Sequence, residues 1–207
     1  MIYRKQYIWL FVGAVVILPI TVFAIVKWYE NNYQRLPVLG GNDHIIAGFT
    51  MRDQQGNSTG LESWEDKIVV ADFFFTHCPT ICPKMTRNLK RVQERFINDN
   101  IILINSFTVD PERDSVSRLS AYASQFNISG NWKLLTGDKT EIYRLARKSF
   151  LITATDGDGG PNDFIHSDKL VLIDKHKRIR GFYGGTSEAE VDQLIRDIQK
   201  LKKEKRK

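Results

Sequence analysis

An uncharged run near the amino terminus restricts the fold of this chain more than any other feature. The run from Tyr7 to Val26 contains no Asp, Glu, Lys or Arg. A helix of this length rises about 30 Å, which matches the hydrocarbon core of a bilayer, where a single segment satisfies its backbone only as a helix. Arg4 and Lys5 precede the run, so residues 1–6 should stay in the cytoplasm. We therefore predict a transmembrane anchor over residues 7–27.

A cleaved signal peptide is the alternative explanation of this run. Signal peptides have an apolar region of about 7–15 residues that ends at small residues. Here the run is longer, and Lys27-Trp28-Tyr29-Glu30 follows it without an Ala-x-Ala pattern. The six residues before the run are also too few for a mitochondrial transit peptide. We therefore predict an uncleaved anchor in a bacterial inner membrane, with the rest of the chain in the periplasm.

One domain on a polar tether is expected after the anchor. Residues 28–44 include Pro37 and Gly40-Gly41, which are typical of a linker. Neither an internal repeat nor a second linker follows, so a single domain is predicted over residues 45–201. Residues 202–207 form a mostly basic tail, either a solvated helix end or a segment attracted to anionic lipids. This tail lacks interleaved aromatic residues, which argues against nucleic acid binding.

Apolar patterning predicts the architecture of the domain. The segments Ile68 to Thr76 and Ile101 to Val109 are nearly continuous apolar runs, as in strands buried on both faces. Between them, from Met85 to Phe96, apolar residues recur at helical spacing. Hairpins are predicted around Asp53-Gln54-Gln55-Gly56-Asn57 and between Lys169 and Tyr183. The fold class is therefore α/β, with a thioredoxin-like central mixed sheet flanked by helices.

Capping residues predict where three further helices begin, and a run rich in Gly and Asp, from Thr153 to Asp163, predicts a loop. The caps are Asp114 or Ser115, then Asp138 with Glu141, then Ser187 with Glu190.

The two cysteines of the chain are only four residues apart, in His77-Cys78-Pro79-Thr80-Ile81-Cys82-Pro83. They follow a predicted buried strand and open a helix, where free N–H groups stabilise thiolates. At helical spacing their Cβ atoms would be about 5–6 Å apart, whereas a disulfide needs about 3.5–4.5 Å. Redox motifs usually have two intervening residues, and here there are three. A dithiolate for a soft metal such as Cu(I) and a redox-active dithiol both remain open.

Four histidines are candidates for a third metal ligand. His44 lies in the tether and His176 in a turn, so both are expected to be exposed. His77 adjoins Cys78 at a strand end, from which its side chain should point away from that of its neighbour. His166 stands between the predicted glycine-rich loop and a strand, and the sheet can bring this position over the end of the first buried strand. We therefore favour His166.

Four segments resemble the Sco/SenC proteins of cytochrome c oxidase assembly, over roughly residues 45–200. The segments are Phe75 to Pro83, Thr108 to Asp114, Trp132 to Gly137, and His166-Ser167 before Leu172-Ile173-Asp174. The resemblance implies a thioredoxin-like fold that binds one copper ion, Cu(I) or Cu(II), through Cys78, Cys82 and His166. It also implies copper delivery to, or thiol reduction of, the dinuclear copper site of oxidase subunit II or of another copper protein.

The chain departs from the family pattern at two positions near the cysteines and the histidine. Thr80 and Ile165 stand where many members have acidic residues, which removes negative charge near the metal, although Asp163 could replace part of it. Asp110 and Asp114 match a family motif, and their expected roles are turn formation and helix capping.

Two functions remain open from the sequence. In the first, the protein is a metallochaperone whose Cys78 and Cys82 hold Cu(I) while His166 closes the site. In the second, it is an enzyme, a thiol–disulfide oxidoreductase, and the same two cysteines are redox-active. Thioredoxin-type enzymes also place a cis-proline opposite their cysteines, and residues 162–207 contain no proline. This absence favours the metallochaperone.

Overall fold

The computed structural model describes residues 2–33, 35–41, 43–152 and 167–204. These residues belong to two units, and the first contains helix α1, Ile2–Tyr33. Within α1, the segment Phe11–Glu30 is long and apolar enough to cross a membrane by length and composition. Large apolar side chains along it are exposed, among them Phe11 and Phe23. This surface differs from that of a core helix, whose apolar side chains are covered by protein.

The second unit, Leu36–Lys203, is built around a seven-stranded sheet with the strand order β2-β1-β5-β4-β3-β6-β7. Strands β3, β4 and β5 are parallel, and the four outer strands pair antiparallel to their neighbours. The predicted mixed sheet with a parallel centre is confirmed. The strands are β1 Thr50–Asp53, β2 Ser58–Gly60, β3 Ile68–Phe74, β4 Ile102–Thr108, β5 Trp132–Thr136, β6 Lys169–Ile173 and β7 Ile179–Gly184.

Among the described residues of this unit, four helices cover the two faces of the sheet, and the three predicted caps are confirmed. The Ser115 hydroxyl accepts a hydrogen bond from the Arg118 N–H at the start of α3, and the Asp138 carboxylate accepts one from the Glu141 N–H at the start of α4. At the start of α5 the Ser187 hydroxyl accepts from the Glu190 N–H at 3.4 Å. The helices are α2 Ile81–Arg95, α3 Val116–Gln125, α4 Lys139–Arg144 and α5 Glu188–Lys203, with a 3₁₀ turn at Leu61–Trp64 and a π-helical turn at Leu145–Ser149.

Two hydrophobic cores lie on opposite faces of the sheet, and β3 contributes to both. Val70 and Phe74 pack with α2, α3 and α5, whereas Ala71 and Phe73 pack with α4 on the other face. Every residue of β3 is buried. Burial on both faces explains why this strand is nearly continuously apolar rather than alternating.

The segment before β1 lies against the edge of the sheet. The Leu39 N–H donates to the Ile179 carbonyl at 2.9 Å, which partly covers the edge strand β7. The expectation that His44 is exposed is wrong, because its Nε2 atom lies 2.8 Å from the Ser149 carbonyl oxygen and the side chain is part-buried. His176, by contrast, is exposed in the turn between β6 and β7, as predicted.

Candidate functional site

The two cysteines lie at the carboxyl end of β3, where the chain turns into α2. β3 ends at Phe74 and α2 begins at Ile81, so Cys78 lies in the connecting turn and Cys82 is the second residue of the helix. The Cys78 N–H donates to the Phe75 carbonyl at 3.3 Å, which closes this turn. The expectation that both cysteines lie on one helical turn is therefore wrong, because the helix begins after Cys78.

The two side chains face each other across the start of the helix. The Cys82 N–H donates to Cys78 Sγ at 3.3 Å, so this sulfur takes one of the backbone donors that a helix leaves free in its first turn. Both cysteines are free thiols. Cys78 is half-buried, whereas Cys82 is only 5% exposed and belongs to the core beneath α2.

Their environments shift the two thiol pKa values in opposite directions. Burial raises the pKa of Cys78, but N–H groups of Cys82, Thr80 and Ile81 and the Cys82 side chain outweigh burial, so this pKa lies below its ordinary value. Burial raises the pKa of Cys82 to about 12, with further contributions from Cys78 and Asp72 that a backbone hydrogen bond from Phe75 only partly offsets. Cys78 therefore ionises first.

Such a pair is suited to two kinds of chemistry. An accessible thiolate at Cys78 can attack a disulfide, with Cys82 as the second thiol of the exchange. The same two sulfurs can bind a soft metal ion, and binding then displaces the proton of Cys82, because cysteine binds metals as the thiolate. The geometry of the two cysteines permits both reactions.

Among the described residues, no third side chain completes a metal site beside the cysteines, since these residues contain no group of three or more His, Cys, Asp or Glu with a metal-binding arrangement. His77 is exposed next to Cys78, with its Nδ1 atom 3.3 Å from Thr76 Oγ1. His166, Ile165, Asp163 and the glycine-rich loop before them lie outside the described residues. The assignment of His166 as third ligand therefore stays a prediction.

A polar residue that was predicted only as a helix cap lies beside the cysteine turn. Ser115 caps α3, which leaves Asp114 free to reach back to the end of β3. Its carboxylate accepts hydrogen bonds from the Thr76 N–H at 3.0 Å, the Thr76 hydroxyl at 2.5 Å and the Thr108 hydroxyl at 2.5 Å. Asp114 is completely buried. It thus links the turn before Cys78 to the end of β4.

The sequence contains a partial signal for this link. β3 and β4 are neighbouring parallel strands, and Phe74 is level with Thr108. Side chains that follow the two strands therefore meet at one edge of the sheet. The pattern places Thr76 and Asp114 near each other, but it does not reveal which of Asp110 and Asp114 makes the contact.

Comparison with known families and proteins gives one consistent match. The family model described as SCO1/SenC matches residues 38–203. The SCO1 protein homolog of Bacillus subtilis (strain 168) is 34% identical over 160 residues, which cover 76% of this chain and 82% of the relative. The mitochondrial Protein SCO1 homolog 1 of Arabidopsis thaliana is 26% identical over 174 residues, covering 79% of this chain and 50% of the relative.

Solved structures agree with this match. A SCO1/SenC family lipoprotein from Bacillus anthracis superposes with a TM-score of 0.69 at 29% identity, covering 81% of this chain and all of that one. BsSco, described as a Sco family cytochrome c oxidase assembly protein with a disulfide switch, gives 0.68 at 31% identity, with coverages of 83% and 100%. Copper-bound ScoI of Bradyrhizobium japonicum gives 0.59 at 25% identity, with coverages of 73% and 98%. The predicted thioredoxin-like fold class is confirmed.

Proposed function

The chain belongs to the SCO1/SenC family, and from this membership we propose that it is a membrane-anchored copper metallochaperone. Its cargo is one copper ion, and its partner is the dinuclear copper site of cytochrome c oxidase subunit II. The pair formed by Cys78 and Cys82 carries the proposal, because both thiols are free and face each other at a strand-to-helix turn. The related ScoI of B. japonicum has a solved structure with copper bound.

The chemistry of the two sulfurs fits copper. Cu(I) is a soft ion that prefers thiolate and imidazole ligands and accepts a low coordination number. Cys78 ionises readily, and Cys82 becomes a thiolate when the ion displaces its proton. We propose that His166 is the third ligand. With one imidazole in place of a third thiolate, the site would release its ion to a partner more easily.

We further propose that α1 anchors the domain in a bacterial inner membrane, with the domain in the periplasm. The apolar segment Phe11–Glu30 supports this placement, as do the basic residues Arg4 and Lys5 on its amino-terminal side. Digestion of the domain by a protease added to intact spheroplasts tests this placement. Protection from the protease in intact spheroplasts would contradict a periplasmic domain.

Copper stoichiometry of the reduced chain tests the ligand set. The full chain in detergent micelles is loaded with Cu(I), desalted and assayed for copper per chain, and about one ion is expected from two thiolates and one imidazole. Cys78→Ser and Cys82→Ser should abolish retention, and His166→Ala should weaken it. His176→Ala is the matched control, since this exposed histidine lies in the turn between β6 and β7. A His166→Ala variant that binds as tightly as the wild type would show that the third ligand is wrongly assigned.

Transfer to a partner tests the chaperone function itself. The Cu(I)-loaded chain is mixed with the metal-free copper domain of oxidase subunit II, the two proteins are separated at successive times, and the copper content of the partner is measured. We expect the site to fill with the wild-type chain and not with the Cys78→Ser variant. A partner that fills no faster than with an equal amount of free Cu(I) would argue against delivery.

A second candidate function, thiol–disulfide oxidoreductase, is favoured by the unequal cysteines. A half-buried thiol with a lowered pKa beside a buried thiol is typical of an attacking and a resolving cysteine. The relative BsSco is also described as having a disulfide switch. In this function Cys78 attacks a disulfide of the partner and forms a mixed disulfide with it. Cys82 then attacks the Cys78 sulfur, which forms the Cys78–Cys82 disulfide and releases the partner as a dithiol. Replacement of Cys82 by Ser should trap the mixed disulfide, and absence of such a species would count against the reductase.

A further inference from the structure

We propose that Asp114 is a positioning residue that sets copper affinity by fixing the turn that carries Cys78. This inference rests on the copper-binding function proposed above. Asp114 lies on the chain between β4 and α3, far in sequence from either cysteine. Its hydrogen bonds to the cysteine turn come from Thr76, and the Nδ1 atom of the exposed His77 lies 3.8 Å from its Oδ1 atom. Its effect on the metal is therefore indirect.

The carboxylate is fully engaged in holding the turn. Asp114 is completely buried, and its Oδ2 atom accepts from the Thr76 N–H and from the Thr108 hydroxyl. Its Oδ1 atom accepts from the Thr76 hydroxyl. Hydrogen bonds to an ionised acceptor are about twice as strong as neutral ones. The backbone and the side chain of Thr76 are thus both fixed on one carboxylate, two residues before Cys78.

The turn needs this support because Cys78 lies outside both the strand and the helix. Cys82 is held by α2 and by the core, whereas Cys78 is held by its own N–H bond to Phe75 and by its sulfur's contact with the Cys82 N–H. A metal ion that binds both sulfurs needs them at a fixed separation. If the turn were free, binding would first have to order it, and each ordered backbone residue costs free energy.

A second brace comes from α3, the helix that directly follows Asp114. The Arg118 Nε–H donates to Thr76 Oγ1 at 3.1 Å. The Thr76 hydroxyl therefore donates to Asp114 and accepts from Arg118. Thr76 joins the cysteine turn to the start of α3, and Thr108 joins it to the end of β4. The position of Cys78 is thereby set by neighbouring elements of the rigid sheet rather than by the turn alone.

Cu(I) affinity of variants tests the proposal. The full chain in detergent micelles competes for Cu(I) with bathocuproine disulfonate, a chelator of known affinity. Replacing Asp114 by Ala should weaken Cu(I) binding about tenfold, near the low end of the range for residues that orient metal ligands. Thr76→Val, which keeps the backbone N–H and loses the hydroxyl, should weaken it less. Thr76→Ser, which restores the hydroxyl, should bind as the wild type does.

A matched control separates positioning from general loss of stability. Asp53 is also a buried aspartate that accepts backbone hydrogen bonds, from Gln55 and Asn57, and it lies in the hairpin between β1 and β2. Asp53→Asn should lower the stability of the domain and leave Cu(I) affinity unchanged. Should Asp114→Ala fail to fold, the contrast between Thr76→Val and Thr76→Ser still decides the question.

Hydrogen exchange of the metal-free chain reports the turn directly. Peptides that contain the Thr76 amide should exchange faster in Asp114→Ala and Thr76→Val, while exchange in the hairpin of β6 and β7, which Asp114 does not contact, stays unchanged. A merely structural role would instead accelerate exchange throughout the domain. Unchanged Cu(I) affinity in Asp114→Ala and Thr76→Val, beside a wild type that binds one ion, overturns this inference and leaves the proposed function intact. A wild type that binds no Cu(I) overturns both.

Discussion

A buried aspartate in the central strand should make the stability of the domain fall as pH rises. Asp72 lies in β3 on the face that carries Val70 and Phe74, and only 3% of it is exposed. Burial raises its pKa from the ordinary value of 3.8 to about 7, although a hydrogen bond from the Ser106 hydroxyl partly opposes this shift. Folding therefore favours the protonated form of Asp72 over a wide pH range.

The sign and size of the effect follow from proton linkage. Between pH 4 and 7 the unfolded chain has released the Asp72 proton and the folded chain still holds it, so the free energy of unfolding decreases as pH rises. A pKa change from 3.8 to about 7 corresponds to about 4 kcal/mol, lost progressively across this window. Above the folded pKa the loss is complete and the dependence on pH ends.

Urea unfolding of the chain without residues 1–35, with reductant and chelator present, measures the effect. Trp64 and Trp132 are each 1% exposed, so their fluorescence should change on unfolding. Asp72→Asn keeps an oxygen that can accept from Ser106 and removes the titration. Between pH 4 and pH 8, the free energy of unfolding of the variant should rise by about 4 kcal/mol relative to that of the wild type.

Asp53→Asn provides the control for this prediction. Burial raises the pKa of Asp53, but hydrogen bonds from Asn57, Gln55 and Lys133 outweigh burial and hold the pKa below its ordinary value. The stabilisation by ionised Asp53 is therefore complete above the pKa of the unfolded chain. From pH 5 to 8, the free energy of unfolding of the wild type should exceed that of Asp53→Asn by a constant amount. A difference between wild type and Asp72→Asn that is equally flat over this range would refute the reasoning about Asp72.

Three further predictions concern the cysteines and a buried ion pair. Iodoacetamide should label Cys78 well before Cys82 in the reduced chain, as mass spectrometry of the peptides would show, because Cys78 has the lower pKa and is the less buried. The oxidised chain should retain no copper after desalting, since a disulfide has no thiolate to offer, and full retention would contradict the dithiolate site. Arg180→Ala should cost about 3–5 kcal/mol in urea unfolding, because Asp174 is then left buried with a weaker set of partners. Arg178 is the more exposed partner of the same carboxylate, so Arg178→Ala should lower the free energy of unfolding by about 1 kcal/mol or less. Equal losses of stability in Arg180→Ala and Arg178→Ala would contradict this account.

Much of the fold could be predicted from the sequence because its signals are local. The apolar run that contains β3 is continuous because that strand is covered on both faces. The stripe of Met85, Leu89 and Val92 in α2 is buried at helical spacing. Ser115 and Asp138 cap helices through backbone N–H groups three residues away. Each of these patterns depends on residues that are close to one another in the sequence.

The parts that could not be predicted depend on partners far away in sequence. His44 is held by the carbonyl of Ser149, 105 residues later, and no periodicity in the tether indicates that contact. The capping rule left Asp114 and Ser115 as alternatives for the start of α3. Ser115 is the cap, and no local pattern indicates that Asp114 accepts from Thr76, 38 residues earlier. The start of α2 after Cys78 also went unpredicted, because helix boundaries are set by cap geometry more than by composition.

Two supports at opposite ends of the sheet should therefore control different properties of the domain. The Arg180 guanidinium holds the carbonyls of Leu36 and Pro37, where the chain enters the domain, near the end of the sheet at which Ile179 is level with Ile173. The cysteines follow the other end of β3, a strand of seven residues that spans about 20 Å. Because a rigid core separates the two ends, replacing Arg180 should lower the free energy of unfolding and leave Cu(I) affinity unchanged. Loss of the Asp114 contacts should weaken Cu(I) binding by more than the accompanying loss of stability explains.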